Sequence, residues 1–190
     1  MNQTPPNRPR TLGADLRALR KARGRTLADM AAALGRSVGW LSQVERDLSK
    51  PSISDLRQIA AALGAPMSLL FGHASAPAEE QGHIVRAGAR RAMGSGEEGL
   101  IEELLSPDLT DDFEVIHSTF RPRSRMQKPA RRPTQEVGYM VSGKLDLCLG
   151  GHDFTVGAGD SFRFRGEEYH WANPYDEPAV AIWVIAPPVY

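Results

Sequence analysis

One cysteine, Cys148, stands in 190 residues, so no disulfide can close within the chain. That usage fits a reducing compartment, and a cytoplasmic location is expected. No apolar run reaches the ~18 residues a membrane helix needs, so no span is expected. Met1–Arg10 is polar and proline-rich, without the apolar stretch of a signal peptide. Net charge is lacking too, because 23 Lys and Arg meet 23 Asp and Glu. That balance excludes a polyanion partner only if the charge is spread evenly, and it is not. Met1 to Gly72 carries 11 Lys and Arg against 5 Asp and Glu, whereas the remainder carries 12 against 18. A basic half joined to an acidic half points to one part that meets polyanions and another with a different task. No internal repeat is evident.

What is present changes texture near residue 72. Leu12, Leu16 and Leu19 recur at helical spacing among Arg17, Arg20, Lys21 and Arg23, with Gly24 as a stop. Thr26 is the expected N-cap of a short second helix holding Leu27, Met30, Ala31 and Leu34, ended by Gly35. Ser37 caps a third, with Val38, Leu41 and Val44 facing inward. Ser52 or Ser54 caps a fourth, with Leu56, Ile59, Ala60 and Leu63 on one face and Gly64 at its end. Met67, Leu69, Leu70 and Phe71 predict a fifth short helix. The next ten residues are small, polar and proline-broken, which is linker composition. Beyond them come short β-type runs between Gly, Pro, Asp and Asn: 113–120, 137–141, 144–149, 160–164 and 179–186. Such a pattern predicts a sandwich or small barrel. Tyr139, Met140, Phe162, Phe164 and Trp183 are expected in its core, and Gly88 to Gly99 in a loop.

Thr26-Leu-Ala-Asp-Met-Ala, Ser37-Val-Gly-Trp-Leu-Ser-Gln-Val-Glu-Arg46 and Pro51-Ser-Ile-Ser-Asp-Leu-Arg-Gln-Ile-Ala together resemble the phage-repressor (Xre-like) helix-turn-helix domain. The resemblance covers Leu12 to Phe71. It implies a five-helix domain over 10–72 that lays its third helix in the DNA major groove, which is wide enough to admit it. By position it implies that Val38, Gly39, Ser42 and Gln43 face base edges, and that Arg36, Ser37, Trp40 and Arg46 meet phosphates. Arg10, Arg25 and Lys50 are further phosphate candidates. Glu45 is expected to accept hydrogen bonds inside the domain.

After a linker over 73–82, residues 83–190 resemble a cupin barrel, a double-stranded β-helix. Gly151-His-Asp-Phe-Thr-Val-Gly-Ala-Gly-Asp160 matches the family's second motif, with His170 eleven residues after Gly159. Arg165 replaces a usual proline, and Asn173 comes one residue early. In the first motif, Glu136 and Gly143 hold their spacing, but the two histidine positions carry Ala130 and Arg132. A pair of protein ligands is too few for a transition ion, and a guanidinium repels one. Neither metal nor cofactor is therefore expected.

Arg132, Glu136 and His170, with Arg123 and Arg125 from a basic stretch, are the expected effector contacts. Both charge signs suit an amino acid, a polyamine or an organic anion. His170 has a second reading, a wall histidine hydrogen-bonded to Glu136. Taken together, the resemblances imply a repressor-type transcriptional regulator, multidomain α plus β. It would bind double-stranded operator DNA as a homodimer, sense a small molecule in its barrel and catalyse nothing. Two alternatives are a metal-dependent cupin enzyme with a helical appendage, whose site a histidine from another strand, such as His117, could complete, and a DNA-binding protein whose barrel only dimerises.

Overall fold

The computed structural model describes residues 11–65, 67–70, 77, 79–80, 82–93, 98–107, 109 and 111–188. Arg10, Phe71 and most of the expected linker lie outside them, as do residues 94–97 of the expected glycine-rich loop. Contacts divide the chain into two compact units: Met1–Arg91 with Pro107–Asp111, and Ala92–Ser106 with Asp112–Tyr190.

The first unit holds α1 (Leu12–Ala22), α2 (Leu27–Ala33), α3 (Val38–Val44) and α4 (Ile53–Leu63). Each begins at a hydroxyl cap: Thr11, Thr26, Ser37 and Ser52 accept from the backbone N–H three residues on. The expected fifth α-helix is instead a single 3-10 turn, Met67–Leu70. Left-handed Gly64 (φ 64°) ends α4, and the four residues of the turn are too few for an i→i+4 ladder. Leu16, Leu19, Met30, Leu41, Ile59 and Leu69 are all 2% exposed or less and form the core.

Among the described residues, the chain four times leaves a helix through a residue at positive φ, by the same pair of backbone hydrogen bonds. Gly24, Gly35 and Gly64 fill three of these places, where the missing Cβ removes the penalty of the left-handed region. Asp47 fills the fourth, at φ 58°, after α3. Its side chain explains the exception. Asp47 Oδ2 accepts from the Thr11 hydroxyl and Oδ1 accepts from the Gly13 N–H at 3.0 Å, so the end of α3 caps the start of α1. Gly13 lets the two segments meet, since a Cβ there would lie 2.4 Å from the Val44 carbonyl oxygen.

The second unit is built of strands β1 (Arg91–Ala92), β2 (Leu100–Leu104), β3 (Glu114–Phe120), β4 (Ser124–Arg125), β5 (Gln135–Ser142), β6 (Lys144–Leu149), β7 (His152–Gly157), β8 (Ser161–Arg165), β9 (Tyr169–Asn173) and β10 (Ala179–Ala186). They form two sheets, in the orders β1-β2-β3-β10-β5-β8 and β4-β9-β6-β7. Facing aromatics join the sheets: Phe120 meets Trp171 edge-on with centroids 4.8 Å apart, and Phe164 stacks on Tyr169 at 4.9 Å. Among the described residues no strand ladder closes the two sheets into the expected barrel.

One detail departs from the sequence reading, and a second gives the early asparagine a role. Tyr139 is half exposed, not in the core, because its neighbour Met140 points inward and successive strand residues alternate. Asn173, the early asparagine, is fully buried. Its amide nitrogen donates to the carbonyls of Phe120 (3.1 Å) and Glu177 (2.9 Å), and its oxygen accepts from the Tyr175 N–H, which pins the turn into β10.

Gly138 sits under the ring of Phe162, and an added Cβ would lie 2.4 Å from it. Trp183 backs that ring edge-on at 5.1 Å, so it has nowhere to retreat. Gly138→Ala should therefore destabilise the second unit by about 1–3 kcal/mol, read as a lowered denaturant midpoint at unchanged slope. An unchanged midpoint would show that the ring moves freely.

Candidate functional site

In the first unit, the α2–turn–α3 segment forms one surface. The Thr26–Asp29 capping box fixes the start of α2, Gly35 turns the chain, and Ser37 opens α3 by accepting from the Trp40 N–H at 3.1 Å. Leu41, Val44 and Glu45 are buried on one side of α3. On the other side Gly39, Gln43 and Arg46 are exposed and Ser42 is half-buried. Val38, which periodicity places inward and the resemblance places at base edges, is 47% exposed and joins that outer face. Helical spacing accounts for this, since Val38, Ser42 and Arg46 lie four apart on one stripe.

Internal ion pairs hold the surface in place. Arg20, which stands among other cations in α1, is buried. Its Nε and Nη2 donate to Glu45 Oε1 (2.5 Å) and Oε2 (2.9 Å), and Nη1 donates to the Arg25 carbonyl. Glu45 thus accepts inside the domain. Arg36 lies 5.0 Å over the Trp40 ring while its Nη2 donates to Asp55 Oδ1 at 2.6 Å. The Ser52 hydroxyl and N–H donate to Asp55 Oδ2, and these bonds, reinforced by Arg36, hold the Asp55 pKa down to about 2. Arg46 Nε donates to the Ser42 carbonyl at 3.2 Å. Arg25 and Lys50 are exposed.

The second unit encloses a cavity of about 80 Å³ between its sheets. Its polar lining is Glu102, Ser118, Arg132 and Glu136, and Phe164, Tyr169, Trp171 and Trp183 supply aromatic wall. Of the five expected effector contacts, the structure brings two together here, Arg132 and Glu136. Arg123 and Arg125 are exposed in another recess beside Glu98, and Arg123 is engaged by Asp176 at 2.7 Å and the Pro174 carbonyl. His170 lies on the outer face of its sheet, in a recess with its cross-strand neighbour Cys148 and with Asp153. There His170 Nε2 donates to the Met126 carbonyl at 2.9 Å, and Glu136 takes its hydrogen bond from Thr134 instead. Spacing from Gly159 counts residues, but the turn between β8 and β9 decides the face. Tyr169 and Trp171 point inward, so His170 points out.

A cupin's usual metal does not fit this donor set. At the family's four positions the cavity would offer one carboxylate, Glu136, beside the guanidinium of Arg132. Ala130 has no donor and His170 faces away. His117, the other histidine considered, sits 3.6 Å from Glu103, and it alternates with inward-facing Ile116 and Ser118 on β3. Glu102 was missed by sequence reading, because nothing in Leu-Ile-Glu-Glu-Leu says which carboxylate faces inward.

The elements define a two-domain protein: a helix-turn-helix unit followed by a cupin-like unit of two sheets. A family model described as a helix-turn-helix domain matches residues 11–70, and one described as a cupin domain matches residues 116–185. The HTH-type transcriptional regulator SutR of Escherichia coli (strain K12) is 29% identical over 165 residues, covering 86% of this chain and 87% of SutR. The HTH-type transcriptional regulator PuuR of the same organism is 25% identical over 153 residues, covering 79% of this chain and 80% of PuuR. A solved HTH_3 family transcriptional regulator from Vibrio cholerae aligns at a TM-score of 0.45 and 22% identity, over 93% of this chain and 95% of that one. The chain belongs to the phage-repressor-type helix-turn-helix transcriptional regulators that carry a cupin domain.

The depressed pKa of Asp55 has a definite sign. Its carboxylate is favoured in the fold, so the contribution is complete above the ordinary value of 3.8 and is lost as pH falls towards about 2. Helical-unit stability should decline across that window, measured by helix circular dichroism in denaturant. Asp55→Asn should be less stable at pH 7 and lack this part of the decline; an identical acid profile in the variant would refute it.

Proposed function

We propose that this protein is a ligand-responsive regulator that reads double-stranded operator DNA with α3 and is controlled by a small molecule bound in the cupin cavity. The observation that carries the DNA half is the outer face of α3, where Val38, Gly39, Ser42 and Gln43 stand clear of the core between Arg36 and Arg46. That is the arrangement a major-groove reader needs, with base-reading groups in the middle and phosphate-reading cations on the flanks. Gln43 offers adenine a bidentate amide, and Val38 offers a thymine methyl an apolar contact. Arg36 is pre-positioned by Asp55 and Trp40, which reduces the entropy lost on meeting a phosphate.

We assign 10–72 to the DNA-reading domain and 83–190 to the effector domain. The active species in this reading is a homodimer in the cytoplasm, with half-sites roughly 34–36 Å apart. The outward face of β5 and β10 supports a second copy, because Val137, Tyr139 and Val184 form an exposed apolar patch, with Val184 directly opposite Val137. A metal-dependent enzyme is the weaker reading on the donor chemistry of the cavity. Effector and operator must bias each other's affinity equally, whichever sign the coupling has.

The test is fluorescence anisotropy of the full chain on DNA from upstream of its own gene, at two salt concentrations. Binding should be sequence-selective and salt-sensitive. Gln43→Ala should cost ~1–3 kcal/mol of discrimination at one base pair. Arg46→Ala should instead weaken all sequences alike and lower the salt slope by about one. Absence of binding even at low salt, or selectivity untouched by Gln43→Ala, would overturn the proposal.

A further inference from the structure

Charged groups are placed unequally in the cupin cavity. Glu136 is only 4% exposed and accepts the Thr134 hydroxyl at 2.6 Å. Glu102, on β2, accepts a long bond from the Ser118 hydroxyl at 3.4 Å. Arg132 is exposed, so its guanidinium lines the open side. The three groups feel one another: burial pushes the Glu102 carboxyl up, Arg132 draws it down, and Glu136 pushes it further up. Among the described residues, no ion pair within 4 Å joins Arg132 to either carboxylate. The remaining wall is apolar and aromatic.

That arrangement discriminates between ligand classes. A simple organic anion would meet two carboxylates for one guanidinium. A diamine would satisfy the carboxylates but direct its second ammonium at Arg132. A cavity of about 80 Å³ favours a compact ligand. A small amino acid matches every part.

We propose that the cavity binds a small amino acid as its zwitterion, with the ammonium between Glu102 and Glu136, the carboxylate on Arg132, and the short hydrocarbon stem against Phe164, Tyr169, Trp171 and Trp183. Aromatic faces also attract an ammonium directly, and a guanidinium grips a carboxylate with two parallel hydrogen bonds. This assignment rests on the reading of the cavity as the effector site.

Calorimetry and thermal melting of the full chain test it, using glycine, alanine, β-alanine and 4-aminobutanoate as probes. Each is paired with the amine and the carboxylic acid of equal length, and a diamine completes the set. At least one amino acid should bind ten or more times tighter than its amine, its acid and the diamine. Arg132→Gln should reduce that affinity tenfold or more and leave amine binding unchanged. Glu102→Gln, at a half-buried position, should weaken the amine and the amino acid alike. Equal binding by the acid or the diamine, or no response to any amino acid, would overturn the assignment. Anisotropy on the same samples separates the two claims. Intact DNA binding with no amino acid response defeats this assignment alone, and lost DNA binding with amino acid binding intact defeats the regulator.

Discussion

The outer face of α3 in the helical unit depends on the buried pair of Arg20 and Glu45. Arg20 comes from α1, and Glu45 closes α3, so the pair fixes the last turn of α3 against the first helix. Both side chains are almost without solvent, at 8% and 4% exposure, and the guanidinium fork meets both carboxylate oxygens. A charge left alone in that place would cost about 3–5 kcal/mol, which makes the two residues interdependent. Asp47, two residues on, completes the joint by capping α1. Residues 45 to 47 therefore hold the scaffold, while residues 38 to 43 remain free to face outward.

The second unit follows a different constraint, the strict alternation of strand side chains. On β9 the alternation turns Tyr169, Trp171 and Asn173 inward and His170 outward. On β5 it turns Glu136, Gly138 and Met140 inward and Val137, Tyr139 and Val141 outward. One parity choice thus removes a histidine from the cavity, lines the cavity with aromatics and leaves an apolar face outside. The cavity keeps two carboxylates and a guanidinium, a set suited to recognising a charged organic molecule and poorly suited to holding a transition ion.

Much of the helical unit was legible in the sequence because its signals are local. Thr26 and Ser37 act over three residues, Gly35 over one turn, and the leucine spacing over a single helix. Two kinds of strand were legible for the same reason: 144–149, where leucine alternates with other residues, coincides with β6, and the β-branched run ending at Ala186 coincides with β10. β2, β7 and β9 were not, since Leu-Ile-Glu-Glu-Leu, His-Asp-Phe-Thr-Val-Gly and Tyr-His-Trp-Ala-Asn are short and have neither a sustained β-branched run nor a regular aliphatic alternation. Their strand character comes from neighbours they pair with, at positions distant in the chain.

The sequence by itself determined the division into a basic helical part and an acidic β part, the caps and turns that shape α2 and α3, and the loss of both motif histidines at 130 and 132. These are matters of residue identity and short-range periodicity. The tertiary structure alone decided that Arg20 is buried and paired, that His170 leaves the cavity, and that Glu102 enters it. Each of those outcomes turns on which side of an element meets a partner far away in sequence, and a residue's type does not specify that.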